Sequence, residues 1–136
     1  MMWPPTAWPF GAKGCCSHPP NQRVTAAVNG EELAGFACLY LNEDPVWGAL
    51  LDNLHVTPAM QGAGVGRLLL RECARQITAA GPEQPMYLWV YKQNTPAIQV
   101  YTHLGGRLAE TVIKPTPDGR TALSHRYVWA HAAVLL

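Results

Sequence analysis

The hydrophobic positions of this chain follow two periods, and the changes from one to the other mark its elements. From Arg23 to Val28 and from Leu33 to Leu41 the pattern is β-like, and the Asn29-Gly30 pair between the runs is a strong hairpin signal. A loop over Asn42 to Gly48, containing Glu43, Asp44 and Pro45, leads to a third apolar run, Ala49 to Val56, which Pro58 ends. The period then becomes helical. Val65, Leu68, Leu69, Cys73 and Ile77 share one face, with Arg67, Arg71, Glu72 and Arg75 on the polar side, and Ala80-Gly81-Pro82 stops the helix. A buried-looking strand follows from Met86 to Tyr91. Thr95-Pro96 gives an N-cap with proline at the first helical position, opening a short helix marked by Ala97, Ile98, Tyr101 and Leu104 and closed by Gly105-Gly106. Leu108 to Lys114 and Thr121 to Trp129 alternate in period two around Pro117-Asp118-Gly119, a terminal hairpin, and the tail from Ala130 carries no pattern. The sum is six strands and two helices, an α/β fold with a mixed sheet and helices packed on it.

Between the third strand and the first helix, Gly62, Gly64 and Gly66 occupy every second position, where backbone must bend tightly or approach a ligand. A glycine turn feeding a helix N-terminus aims unpaired N–H groups and the positive end of the helix dipole at one point, which suits phosphate. Neither common phosphate loop fits: the Rossmann spacing needs glycine where Arg67 stands, and no Gly-Lys-Ser/Thr follows for a P-loop. The spacing Gln61-x-x-Gly64-x-Gly66 after Leu54-x-Val56 resembles instead the pyrophosphate-binding loop of the GNAT acetyltransferase family. A second signature, Val90-x-x-x-Asn94-x-x-Ala97-x-x-x-Tyr101-x-x-x-Gly105, resembles that family's other motif and lies at the right distance. One departure is Gly106, where the family often has an aromatic residue.

The resemblance implies a GNAT-like acyl-CoA N-acyltransferase fold with acetyl-CoA as cosubstrate and no metal. It places Leu54, His55, Val56, Gln61, Gly62, Ala63, Gly64, Val65, Gly66, Arg67, Asn94, Ala97 and Tyr101 along the cofactor. Leu54 and Val56 act through their backbone, pairing with the pantetheine amide like an added strand, and Asn94 contacts the pantetheine arm or the phosphates, alongside a reading as a plain capping residue. Tyr101 falls beside the CoA sulfur, as proton donor to the leaving thiolate. For the general base the candidates are Asp52, where many family members are acidic, and His55, whose intrinsic pKa suits the task better. Alternation along a strand sends these two, three positions apart, to opposite faces; Glu43, Asp44 and His125 are weaker alternatives. The acceptor is a primary amine on a small molecule, an amino acid or a peptide N-terminus. A rival reading is a CoA-binding module, or a fragment lacking a complete acceptor pocket, with little turnover.

Composition sharpens this in a few ways. At 136 residues the chain is one domain, and a formal charge of +1 with 14% charged residues argues against a nucleic-acid partner. No apolar run approaches the roughly 18 residues that span a bilayer, and no targeting signal is visible. Cys15, Cys16, Cys38 and Cys73 show no C-x-x-C or zinc-like spacing, so reduced thiols and a cytoplasmic setting are expected. Cys38 and Cys73 have no motif histidine to activate them, so direct transfer is expected. Residues 1–20 are foreign to the rest, with five prolines, and are expected to be extended or disordered ahead of a domain over residues 21–136. The family usually begins with a strand and two helices before the hairpin that starts here at Arg23. An N-terminally abbreviated fold, an uncovered apolar sheet face and self-association or a second subunit are therefore expected.

Overall fold

The computed structural model describes residues 20–136. They form one six-stranded sheet in the order β1-β2-β3-β4-β6-β5. Strands β1 (Gln22–Asn29), β2 (Glu32–Asp44) and β3 (Gly48–Val56) make an antiparallel meander. Helix α1 (Val65–Ala80) then crosses to β4 (Met86–Tyr91), which runs parallel to β3. Helix α2 (Thr95–His103) leads to the antiparallel pair β5 (Arg107–Pro115) and β6 (Thr121–Trp129), with β6 inserted against β4. The expectations of residues 1–20 as extended or disordered lie, but for Pro20, outside the described residues.

Both helices pack on one face of the sheet. The core joins Val65, Leu69, Cys73 and Ile77 of α1 to Leu39, Leu51, Met86, Leu88 and Trp129 of the strands, with Ala97, Ile98, Tyr101 and Leu104 of α2 packed against it. The buried stripe of α1 also takes in Leu70 and Ala74, whereas Leu68 is 57% exposed. Leu68 was expected on the apolar face. At roughly 100° per residue it lies on the far side from Cys73, the centre of the arc that sets the packing. Across the helix, Arg75 pairs with Glu72 at 2.5 Å, holding that carboxyl down at about 2, and Gln76 ties α1 to β1 through Thr25 at 2.9 Å.

Three local expectations change. The loop expected over Asn42 to Gly48 is a tight hairpin: β2 runs to Asp44, whose carboxylate accepts the N–H groups of Val46 (2.8 Å) and Trp47 (3.0 Å). The N-cap of α2 is Asn94 and not Thr95, its side chain accepting from the Ala97 N–H at 3.4 Å. The tail is structural: Ala132 and Leu135 sit in a 3₁₀ turn, both buried in the core, with the Ala132 N–H donating to the Gln84 carbonyl at 2.9 Å. The uncovered apolar face is not found at the centre of the sheet either, because Phe36, Tyr87 and Val128, on the face away from the helices, are 4%, 5% and 4% exposed.

Candidate functional site

The sheet opens in its middle. β3 and β4 pair at Ala49/Met86, Leu50/Tyr87 and Leu51/Leu88, and beyond Leu51 they have no pairing. The cause lies in β3. Against β2, Leu39 pairs with Leu51 but the next partner of Cys38 is Asn53, so Asp52 is an extra residue in the strand. Such a bulge bends its strand and breaks the ladder. The β4-facing edge of Asp52 to Val56 is left free, and a cavity of about 650 Å³ occupies the gap.

That cavity passes through the sheet. Leu54 and Val90 wall it toward the helices together with Asn94 and Tyr101, while Asp52, Trp89, Tyr91, Lys114 and Ser124 wall it toward the other face. Tyr101 is held by an edge contact to Trp129, ring centroids 6.1 Å apart, and its hydroxyl makes no hydrogen bond among the described residues. Burial pushes its phenol pKa up, so it stays protonated. Trp129 also explains the departure at Gly106: a Cβ there would stand 2.8 Å from the Trp129 ring and 2.9 Å from the Tyr101 carbonyl. The aromatic ring expected at position 106 is supplied from β6 instead.

The bulge corrects the expectation for Asp52 and His55. His55 pairs with Phe36 and Asn53 with Cys38, so all four lie on the face away from the helices, and the Asp52 carboxylate acts electrostatically on Cys38, Tyr40 and Lys114 on that same side. The extra residue cancels the alternation, and the two side chains share a face. Only Asp52 lines the cavity. His55 stacks toward Phe36 at 5.6 Å, its Nε2 is buried with no partner among the described residues, and burial lowers its pKa. Asp44 caps its hairpin turn, Glu43 accepts from Asn21 at 3.4 Å and His125 meets Thr111 at 2.8 Å, so the weaker base candidates stand outside the cavity.

Below the gap lies the glycine turn. Gly62 and Gly64 adopt φ of +85° and +86°, and a Cβ on either would meet nothing within 4 Å, so their outer side is open. Gly66 is different. It sits inside the first turn of α1 without a positive φ, and a Cβ there would make ordinary contact with Val56 at 3.6 Å, so its backbone does not demand glycine. The first bonded N–H of α1 is that of Leu68, to the Gly64 carbonyl at 3.0 Å, leaving those of Val65, Gly66 and Arg67 without an intrahelical partner. No side chain caps this end and no acidic residue occupies its first turn. The Gln61 side chain donates back to the Val56 carbonyl at 3.3 Å and braces the turn. A second hollow, about 620 Å³, runs beside it between Arg67 of α1 and Pro96, Gln99 and His103 of α2.

A split parallel strand pair, a cavity through the sheet and an uncapped helix N-terminus beside it form an arrangement able to take an extended ligand with an anionic end. The sequence profile of the acetyltransferase (GNAT) family matches residues 2–106, and the chain belongs to that family. It is similar to a streptothricin acetyltransferase of Streptomyces lavendulae, 31% identical over 98 residues, which are 70% of this chain and 50% of that protein. A mycothiol acetyltransferase of Gordonia bronchialis is 34% identical over 94 residues, 68% of this chain and 30% of that protein. The chain thus spans half or less of the length of these relatives. Among solved structures, the ribosomal-protein-S18-alanine N-acetyltransferase from Escherichia coli aligns at a TM-score of 0.69 with 25% identity, over 93% of this chain and 77% of that one. A GNAT-family protein from Desulfovibrio desulfuricans shares the fold at a TM-score of 0.72 and 17% identity, over 92% and 78% of the two chains.

Trp89, Tyr91, Lys114 and Ser124 are cavity residues that the sequence reading missed. Lys114 and Ser124 reach the gap only through the β4-β6-β5 order, which no local pattern encodes. For Trp89 and Tyr91 the signal existed, since they alternate with the core residues Leu88 and Val90.

Proposed function

We propose that this chain is an N-acetyltransferase that moves the acetyl group of acetyl-CoA directly to a primary amine. The carrying observation is the cavity between the parted strands, with Tyr101 on its helix side and Asp52 on its other side. The residues present suit the cofactor. The open outer side of Gly62 and Gly64, the free N–H groups of Val65, Gly66 and Arg67, and an uncapped positive helix end make an anion cradle for the pyrophosphate. The free edge of Leu54 to Val56 receives the pantetheine amides, and the hollow at Arg67 the nucleotide end. Gln61 and Ala63 serve the turn through its backbone. Asn94, which caps α2 and also lines the cavity, serves both roles read for it, while Ala97 packs behind it.

Bound acetyl-CoA supplies an acyl thioester. An amine with a pKa of roughly 10.4 is mostly protonated at neutral pH and must shed protons. Asp52 stands on the acceptor side to take up an ammonium and pass its proton on, and Tyr101 stands opposite to protonate the leaving thiolate. His55 lies away from the cavity and has no catalytic part in this scheme. Direct transfer also suits the thiols: burial pushes Cys73 up to about 12, raises Cys38 too, and neither lines the cavity. The acceptors in the relatives' names, streptothricin, mycothiol and the alanine of a ribosomal protein, differ from one another, so the acetyl donor is the shared part. No described helix is long and apolar enough to cross a membrane, compatible with a cytoplasmic enzyme.

Calorimetric titration with acetyl-CoA tests the cofactor reading without an acceptor, and release of free CoA thiol over a panel of primary amines tests turnover. Binding without release on any amine would favour a CoA-binding module.

A further inference from the structure

The acceptor side of the cavity already contains a primary amine. The chain has three lysines, Lys13, Lys92 and Lys114. Lys13 lies outside the described residues, and Lys92 is exposed on the turn after β4, outside the cavity. Lys114, half-buried near the end of β5, lines the cavity. Its register opposite Ala122 puts it on the face away from the helices, where its ammonium sits 3.9 Å above the Trp89 ring. The groups facing it are Arg126, stacked on the same ring at 4.3 Å, and Asp52 from the β3 wall. Arg126 is itself paired with Glu110 at 2.7 Å, and no carboxylate forms an ion pair with Lys114 among the described residues.

We infer that Lys114 is an internal acceptor: with acetyl-CoA in the cleft and no outside amine present, the chain acetylates its own Lys114. The neutral ε-amine attacks the thioester carbonyl, a C–N bond forms as the C–S bond breaks, the amine proton leaves by way of Asp52, and Tyr101 protonates the departing thiolate. The products are N-acetyl-lysine at position 114 and free CoA. Three features of the site favour the step. The side chain is four carbons long and flexible, so it can swing from Trp89 into the gap; burial and the Arg126 charge lower its pKa, raising the neutral fraction; and attachment to the cavity wall gives the amine a high effective concentration. The acetylated chain carries a neutral amide where the ammonium stood and blocks the acceptor side, so the reaction stops at one acetyl per chain.

The inference rests on the acetyl-CoA reading, and the experiment separates the two. The folded 136-residue chain is incubated with acetyl-CoA and digested with trypsin, and acetyl is located by mass spectrometry, with calorimetry run on the same preparation. Trypsin does not cut between Lys114 and Pro115, so labelled and unlabelled Lys114 appear in one peptide, Leu108 to Arg120. The expected result is Lys114 labelled at least about tenfold faster than Lys92, as proximity requires, with a plateau near one acetyl per chain. Lys114→Arg, which keeps the charge and the ring contact, should bind acetyl-CoA and lose the label. Labelling spread over all three lysines, or equal selectivity for Lys114 with acetyl phosphate, which needs no CoA cleft, would overturn the inference. So would acetyl-CoA binding with no label; absence of binding would overturn the cofactor reading along with it.

Discussion

In the proposed mechanism Tyr101 and Gly64 serve different steps, and single substitutions separate them. Tyr101→Phe keeps the packing on Trp129 and removes the proton donor. With a working acceptor, kcat should fall roughly ten- to a thousandfold while acetyl-CoA affinity stays within a small factor, as calorimetry and initial rates will show. An unchanged kcat would make Tyr101 a packing residue. At Gly64 a valine must adopt a φ of +86°, and its side chain projects into the open space offered to the anion. The strain costs about 1–2 kcal/mol, so circular dichroism should still show a folded chain, but acetyl-CoA should no longer raise its Tm. His55 gives a test by pH. Its folded pKa is lowered by burial, so the folded state binds fewer protons than the unfolded state below the ordinary value of about 6.5. Stability is complete above that value and declines as pH falls toward the folded pKa. Urea unfolding at a series of pH values should show this slope in the parent and not in His55→Phe, which keeps a ring beside Phe36.

At the scale of elements, the phase of α1 is the quantity to test. Leu69 is 2% exposed against the sheet and Leu68 is 57% exposed. Leu69→Ala should cost about 2–5 kcal/mol in denaturant unfolding, and Leu68→Ala within about 0.5 kcal/mol of nothing. Similar losses for both would put the helix in a different rotation. The junction of α2 with β6 is equally specific. Gly106→Phe would restore the aromatic residue usual in the family, yet Trp129 fills that space, so overpacking by about 1–3 kcal/mol and displacement of Tyr101 are the expected results.

For the whole molecule, one feature decides whether the sheet is a platform or a cleft, the extra residue at Asp52. Before it β3 and β4 are paired; after it they part and the cavity opens. On the face away from the helices, Phe36, Tyr87 and Val128 are buried, while Val24, Val28, Ile113 and Leu123 are exposed elsewhere on the sheet, and self-association stands as a proposal. Light scattering of the isolated chain tests it: a mass above 14.9 kDa is the expected result, and a stable monomer would overturn it. A dimer would direct attention to the exposed apolar residues of the terminal hairpin, Ile113 and Leu123.

The sequence by itself determined the elements and the glycine turn before an uncapped helix start, because both depend on neighbours along the chain. Helical and strand periods are set by residues three, four or two positions apart, and the glycine turn by Gly62 and Gly64 before a helix start. Among the described residues, the order and type of the six strands and the two α-helices were legible for this reason. The two family signatures were legible too, and with them Tyr101 and Asn94. What only the tertiary structure decided depends on partners far along the chain. The register of β3 against β2 set the bulge, turned Asp52 and His55 to one face and left only Asp52 in the cavity. The insertion of β6 between β4 and β5 brought Lys114 and Ser124 to the gap and put Trp129 where Gly106 lacks a side chain. A strand's local pattern records which residues alternate, while the pairing that fixes which face they reach, and what they meet there, is chosen by the other strands.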